Sequence, residues 1–237
     1  MRVLKGDSSG STRAVPRLRA AQTACENCAS RSFCPVGSMG APERDGLAAL
    51  IQERPFHRSQ VLQEQGQIAT SLRIVKTGST LMLRHSTDGR ARGVGLAGRG
   101  YTFGKFALVD QPDALTCVGA SSGRLCEIEF AAARSLGLLN RRVWWNLVHA
   151  HIREFGLLAD WAQAMRVGGA PAQLWAALQL MATEQGSRCV RLPTQTVLAE
   201  LLGTTRETVA RSLRVLEQTQ QLVRRDRWHC ELSSVAM

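Results

Sequence analysis

The chain has 237 residues, with 30 Lys and Arg against 19 Asp and Glu and a formal net charge of +11. That length suits two modest domains with real cores, and the excess of positive charge calls for a polyanion, nucleic acid before an anionic membrane surface. No run of about eighteen apolar residues occurs, and the basic start MRVLKGDSSGSTRAVPRLRA is not followed by the apolar stretch of a secretory signal. A membrane span is excluded on this reading, and a cytoplasmic location is expected. Seven cysteines in a reducing compartment argue for metal binding, redox chemistry or burial rather than a disulfide framework.

Residues 1–22, rich in Arg, Ser and Gly, read as a flexible lead-in. Residues 23–135 form the next unit. It opens on CENCASRSFC, which packs Cys25, Cys28 and Cys34 into ten residues, with Cys126 far downstream in RLCEIEF. Between them lie short apolar stretches (72–75, 80–83 and 94–96) separated by Gly-bearing turns at 76–78, 88–89 and 97–100. Such lengths and spacings predict an antiparallel β-roll or barrel.

After Phe130 the pattern becomes helical, and 136–168 read as one long helix. Its apolar line Trp144, Val148, His151, Phe155, Leu158, Ala162 and Met165 alternates steps of four and three, the seam of two packed helices. A homodimer is expected, although Trp145, Ile152 and Ala159 add a second apolar edge that supports a competing reading. The competing reading packs the stripe on the chain's own β-domain.

Gly168-Gly169-Ala-Pro171 then breaks the helix and opens the last unit, 169–237. Thr194 caps a short helix to Leu202, Gly203-Thr204 turns the chain, and Thr205–Gln218 forms a second helix. Ala199, Gly203 and Val209 fall where a helix-turn-helix needs a small residue, a positive-φ turn and an apolar anchor. The outer face of the second helix offers Arg206, Glu207 and Arg211. Arginine can fork onto guanine and a carboxylate can accept from cytosine N4, so these side chains form a base-reading set. Thr194, Thr205 and Thr208 stand at helix N-termini where they can touch phosphates. Arg224, Arg225 and Arg227 mark a β-wing or a general phosphate attraction.

With these elements in place the chain, from about Cys25 to Leu232, resembles the Crp–Fnr transcription regulators. The resemblance implies an α+β architecture: an N-terminal antiparallel, cyclic-nucleotide-binding-like β-roll, a long dimerisation helix and a C-terminal winged helix-turn-helix. It also implies a homodimer on double-stranded DNA, with RNA polymerase as a further partner. The reader Arg206-Glu207-Thr-Val-Ala-Arg211 is similar to the cyclic-AMP-receptor type, which implies an inverted repeat of TGTGA-like half-sites.

On spacing alone the cysteines suit an iron–sulfur cluster or zinc equally. The run Cys-x2-Cys-x5-Cys with a distant Cys126 is similar to the oxygen-sensing fumarate–nitrate branch, which implies a [4Fe–4S] cluster on Cys25, Cys28, Cys34 and Cys126. Cys117 is the rival fourth ligand, while Cys189 and Cys230 read as core or incidental thiols. Where relatives hold a cyclic nucleotide, this chain has Phe103-Gly104-Lys105-Phe106; an ammonium cannot accept from ribose hydroxyls, so no cyclic nucleotide is expected. The oxygen-sensing relatives carry an acidic residue in the seam where this chain has Leu158, which implies a dimer that outlasts the cluster. A zinc-stabilised or ligand-free regulator without redox sensing is the alternative, and a haem- or nitric-oxide-sensing relative a further one. Catalytic motifs are absent from the sequence, so no enzyme is expected.

Overall fold

The computed structural model describes residues 25–233, so the predicted lead-in over 1–22 lies outside the described residues. After the cysteine loop comes helix α1 (Ala41–Ala48), then eight strands: β1 (Gln52–Phe56), β2 (Val61–Gln63), β3 (Ser71–Thr77), β4 (Thr80–His85), β5 (Ala91–Ala97), β6 (Thr102–Phe103), β7 (Thr116–Gly119) and β8 (Gly123–Glu129). They build two four-stranded sheets, ordered β1-β8-β3-β6 and β2-β7-β4-β5, in which every pairing is antiparallel. This is the expected β-roll. Its turns are set by glycine: Gly78, Gly89 and Gly100 all adopt positive φ, which costs a side-chain-free residue nothing.

Helix α2 (Phe130–Ser135) precedes the long helix α3 (Arg141–Ala164), which is a single helix as expected but shorter at both ends than 136–168. Asn140 caps α3, its side chain accepting from the amides of Arg142 and Val143. Two apolar lines run along α3. Val143, Leu147, Ala150, Trp161 and Ala164 are buried against the chain's own body, and the Trp161 indole donates to Leu96 O at 2.9 Å. Trp145, Val148, Ile152, Phe155, Ala159 and Ala162 face outward.

The expected seam falls between these lines. Val148, Phe155 and Ala162 are indeed exposed, but Trp144, Leu158 and Met165 are half-buried against their own chain. His151 is exposed, its ring edge-on to Phe106 at 5.4 Å. The outward line is therefore offset by one residue at alternate steps, because the β-roll takes the neighbouring face.

Helix α4 (Ala170–Gln185) follows, with Pro171 in its first turn, where a missing amide hydrogen costs no bond. Then come β9 (Cys189–Arg191), α5 (Gln195–Leu202), α6 (Arg206–Gln218), β10 (Leu222–Arg224) and β11 (His229–Leu232), the last sheet being ordered β10-β11-β9. This unit is docked on the β-roll. One apolar core runs from Phe56, Leu81 and Leu96 through Trp161 to Leu174, Leu201 and Leu213. At Gly93 a Cβ would meet Leu201 Cα at 2.6 Å, so β5 and α5 touch backbone to backbone.

Candidate cysteine centre and nucleic-acid interface

The cysteine loop is a string of tight turns. Arg31 N donates to Cys28 O at 2.9 Å, Cys34 N to Ser30 O at 3.0 Å and Ser38 N to Cys34 O at 3.0 Å. Ser30 is buried and its hydroxyl donates to Lys76 O on β3 at 2.8 Å, pinning the loop to the sheet. A second tie is ionic, Arg44 of α1 reaching Glu26 at 3.3 Å.

Strand β8 lies between β1 and β3, and Cys126 sits at its middle, opposite Glu53 on one side and Ile74 on the other. The period of two puts Arg124 and Cys126 on one face. The loop closes over that face, so Cys25, Cys28, Cys34 and Cys126 line one cavity of about 300 Å³, together with Arg31, Glu53, Lys76 and Arg124. The four predicted ligands are thus brought together. Cys117 is not among them: it is buried in β7, in the core of the opposite sheet, where burial pushes its thiol up to about 12. Cys230 is buried in the DNA-side unit and Cys189 is exposed.

Burial also pushes Cys126 up to about 12, with Cys34 adding to the rise, and burial raises Cys25 and Cys34 in the same direction. Left to themselves these sulfurs hold their protons at neutral pH. A cation in the cavity would reverse that preference, since metal ligation requires the thiolate. Four thiolates around a doubly charged core leave a net dianion, and the wall answers it with Arg31, Lys76 and Arg124 against the single carboxylate of Glu53. Glu53 in turn pairs with Lys76 and with Arg124 at 3.0 Å, which holds its carboxyl below the usual range. The donor set and its surroundings fit a centre held by four thiolates. Among the described residues no three His, Cys, Asp or Glu side chains converge closely enough to hold a single metal ion.

This cationic wall was not foreseen from sequence. Lys76 stands in a turn-like Lys-Thr-Gly, yet it lies two residues beyond Ile74, the β3 partner of Cys126, and lines the same cavity. A second unforeseen group lies between β6 and α3. Glu154 is buried there, accepting from Thr102 N at 2.7 Å and Thr102 Oγ1 at 2.6 Å, and paired with Lys105. The lysine that sequence reading assigned to the nucleotide region is thus engaged by the long helix.

In the DNA-side unit Thr194 accepts from Val197 N at 3.3 Å and Thr205 from Thr208 N at 3.2 Å, so both act as helix caps. The Thr194 hydroxyl can still donate to an acceptor, while Thr205 Oγ1 shares a hydrogen bond with Thr208 Oγ1 at 3.1 Å. Gly203 takes φ 61° in the turn between α5 and α6. Val209, Leu213 and Leu216 are buried, which leaves Arg206, Glu207, Arg211 and Arg214 exposed on one face of α6. Thr208 is half-buried. At the wing, Trp228 lies between Arg227, 4.9 Å from its ring, and Arg58 of the β-roll at 5.6 Å.

A β-roll carrying a cysteine-lined cavity, a long helix with an apolar outer face and a winged helix-turn-helix define a DNA reader joined to a cyclic-nucleotide-binding-like domain. The comparisons agree: a cyclic nucleotide-binding domain matches residues 53–137 and a Crp-like helix-turn-helix domain matches 172–234. The chain belongs to the Crp–Fnr family of DNA-binding transcription regulators, which are not enzymes and typically bind DNA as dimers. In fold it is similar to FixK2 from Bradyrhizobium japonicum, with a TM-score of 0.66 at 17% identity over 78% of this chain and 93% of that one. It is also similar to the c-di-GMP responsive global regulator CLP of Xanthomonas campestris, with a TM-score of 0.60 at 18% identity over 83% and 100%. A third likeness is a CRP-family transcriptional regulator from Thermus thermophilus, with a TM-score of 0.60 at 17% identity over 77% and 93%. No curated protein matches the chain. Among the described residues no helix is long and apolar enough to cross a membrane.

Proposed function

We propose that this regulator reads oxygen or redox state through a [4Fe–4S] cluster on Cys25, Cys28, Cys34 and Cys126, and binds an inverted-repeat operator as a homodimer. The observation that carries this reading is the meeting of four thiols, from two remote segments, around one cavity with a cationic wall. The likeness of Cys-x2-Cys-x5-Cys and the distant Cys126 to the oxygen-sensing branch is what favours a cluster over zinc. When bound, the cluster supplies an oxidant-labile link between the cysteine loop and β8. The chain does the rest: Ser30 and Arg44 hold the loop on the β-roll, and Cys34 and Cys126 border the core that seats Val143 and Leu147 of α3.

On the operator, Arg206 and Arg211 fork onto guanines, Glu207 accepts from a cytosine, and Thr194, Thr205 and Thr208 meet phosphates of a TGTGA-like half-site. The outward line of α3, with Trp145, Ile152 and Phe155 all at least 60% exposed, supplies the dimer seam. The test is metal analysis of protein purified without oxygen. Roughly four iron and four sulfide per chain are expected, lost in Cys126→Ala and kept in Cys117→Ala. Zinc without sulfide would replace the cluster reading by the structural-zinc one.

A further inference from the structure

The turn between β5 and β6 is clasped from both sides. On one side is the cysteine loop: Arg99 lies over the Phe33 ring, its guanidinium carbon 5.1 Å from the centroid, and Gly100 runs so close to the Phe33 backbone that a Cβ there would overlap the Phe33 carbonyl. Gly100 also needs its φ of 85°, so this approach is reserved for glycine. On the other side is the last turn of α4, the first helix of the DNA-side unit. Arg99 Nη2 donates to Gln185 O at 3.3 Å, and the Gly98 amide bonds the Glu184 carboxyl. A helix C-terminus presents carbonyls without intrahelical partners, so a guanidinium there satisfies one of them and meets the negative end of the helix dipole.

Next to this clasp a cleft of about 370 Å³ separates the β-roll residues Thr77, Ser79 and Ser121 from Arg191, Leu192 and Pro193. Leu96, Met181 and Leu192, which also line this cleft, belong to the shared apolar core, so the bonds of Gly98 and Arg99 add to that packing on this flank. Phe33 is the residue immediately before Cys34, so any shift of the thiol loop moves the ring that Arg99 stacks on.

We infer that Arg99 is a positioning residue that ties the cysteine loop to the DNA-reading unit within one subunit, through Phe33 on one side and the α4 C-terminus on the other. This route is separate from the α3 seam and needs no second chain. Its sensory meaning rests on the cysteine centre proposed above; its mechanical content does not.

The test is hydrogen–deuterium exchange of the full chain over residues 182–192, far from Phe33 in sequence, with iron measured on the same samples. Phe33→Leu, which keeps an apolar side chain but removes the ring, and Arg99→Ala should each raise exchange there about threefold or more. The double variant should rise no further than the singles, since both cut the same connection. If Phe33→Leu exchanges like wild type over 182–192, the relay is overturned, whatever Arg99→Ala does. A rise in protein that contains no iron supports the relay and removes the cluster reading. Full iron with no rise does the reverse.

Discussion

Glu184 gives the most quantitative handle on how the two units are held together. Its carboxyl is packed at the junction of α4 with the β5–β6 turn; burial pushes it up to about 7, against the opposing pull of the Gly98 amide and the Arg99 guanidinium. Arg191, Ser79 and Ser121 line the same cleft, and Arg99 and Arg191 are the charged groups that face it there. The unfolded carboxyl releases its proton near the ordinary 4.5, so between that value and about 7 the folded chain holds the extra proton. Stability must then fall as pH rises through this window, the opposite of a salt-bridged carboxylate. The shift is worth about 3 kcal/mol before solvent screening and roughly 2 after it. Urea unfolding at pH 5, 6, 7 and 8 should show wild type losing about that much relative to Glu184→Gln, whose neutral amide cannot titrate. Parallel profiles for the two proteins would refute the argument and place Glu184 in contact with water.

Gly93→Val should separate the units at their tightest point, because its Cβ would fall 2.6 Å from Leu201 Cα; limited proteolysis after 164–170 should accelerate while the circular dichroism of the helices is kept. Ile152→Glu or Phe155→Glu places like charges on the exposed α3 line, and size-exclusion at micromolar concentration should shift from dimer to monomer; Leu158→Ala, half-buried in its own chain, should leave the dimer intact. Arg211→Ala should weaken operator binding by about 1–3 kcal/mol and relax preference at one base pair, measured by fluorescence anisotropy on matched and mismatched duplexes.

The parts legible in the sequence are those whose rules are local. The glycine turns at 78, 89 and 100 and the apolar runs between them marked β3, β4 and β5, and the spacing of Ala199, Gly203 and Val209 marked α5 and α6 because a cap, a positive-φ turn and an anchor lie within one short stretch. The cluster of Cys25, Cys28 and Cys34 stood out by its spacing, whereas Cys126 was chosen over Cys117 by the family resemblance, and β8 carries it into the loop's cavity. The α3 seam was only half legible. Two apolar lines at the same 3.5-residue period share that helix, and only the folded β-roll decides which it covers. The Lys105–Glu154 pair joins residues 49 apart, and Arg99 connects Phe33 to Gln185 across most of the chain. No local pattern announces such contacts.

The central claim is that the cysteine centre governs DNA affinity, and one titration meets it head on. Protein prepared under argon and the same protein after exposure to air are titrated onto a labelled duplex carrying two TGTGA-like half-sites, at fixed salt because phosphate contacts make affinity salt-dependent. The account predicts at least tenfold weaker binding after air, about 1.4 kcal/mol, with Cys126→Ala weak under both gases. Equal affinity under argon and in air, matched by Cys126→Ala, would contradict it.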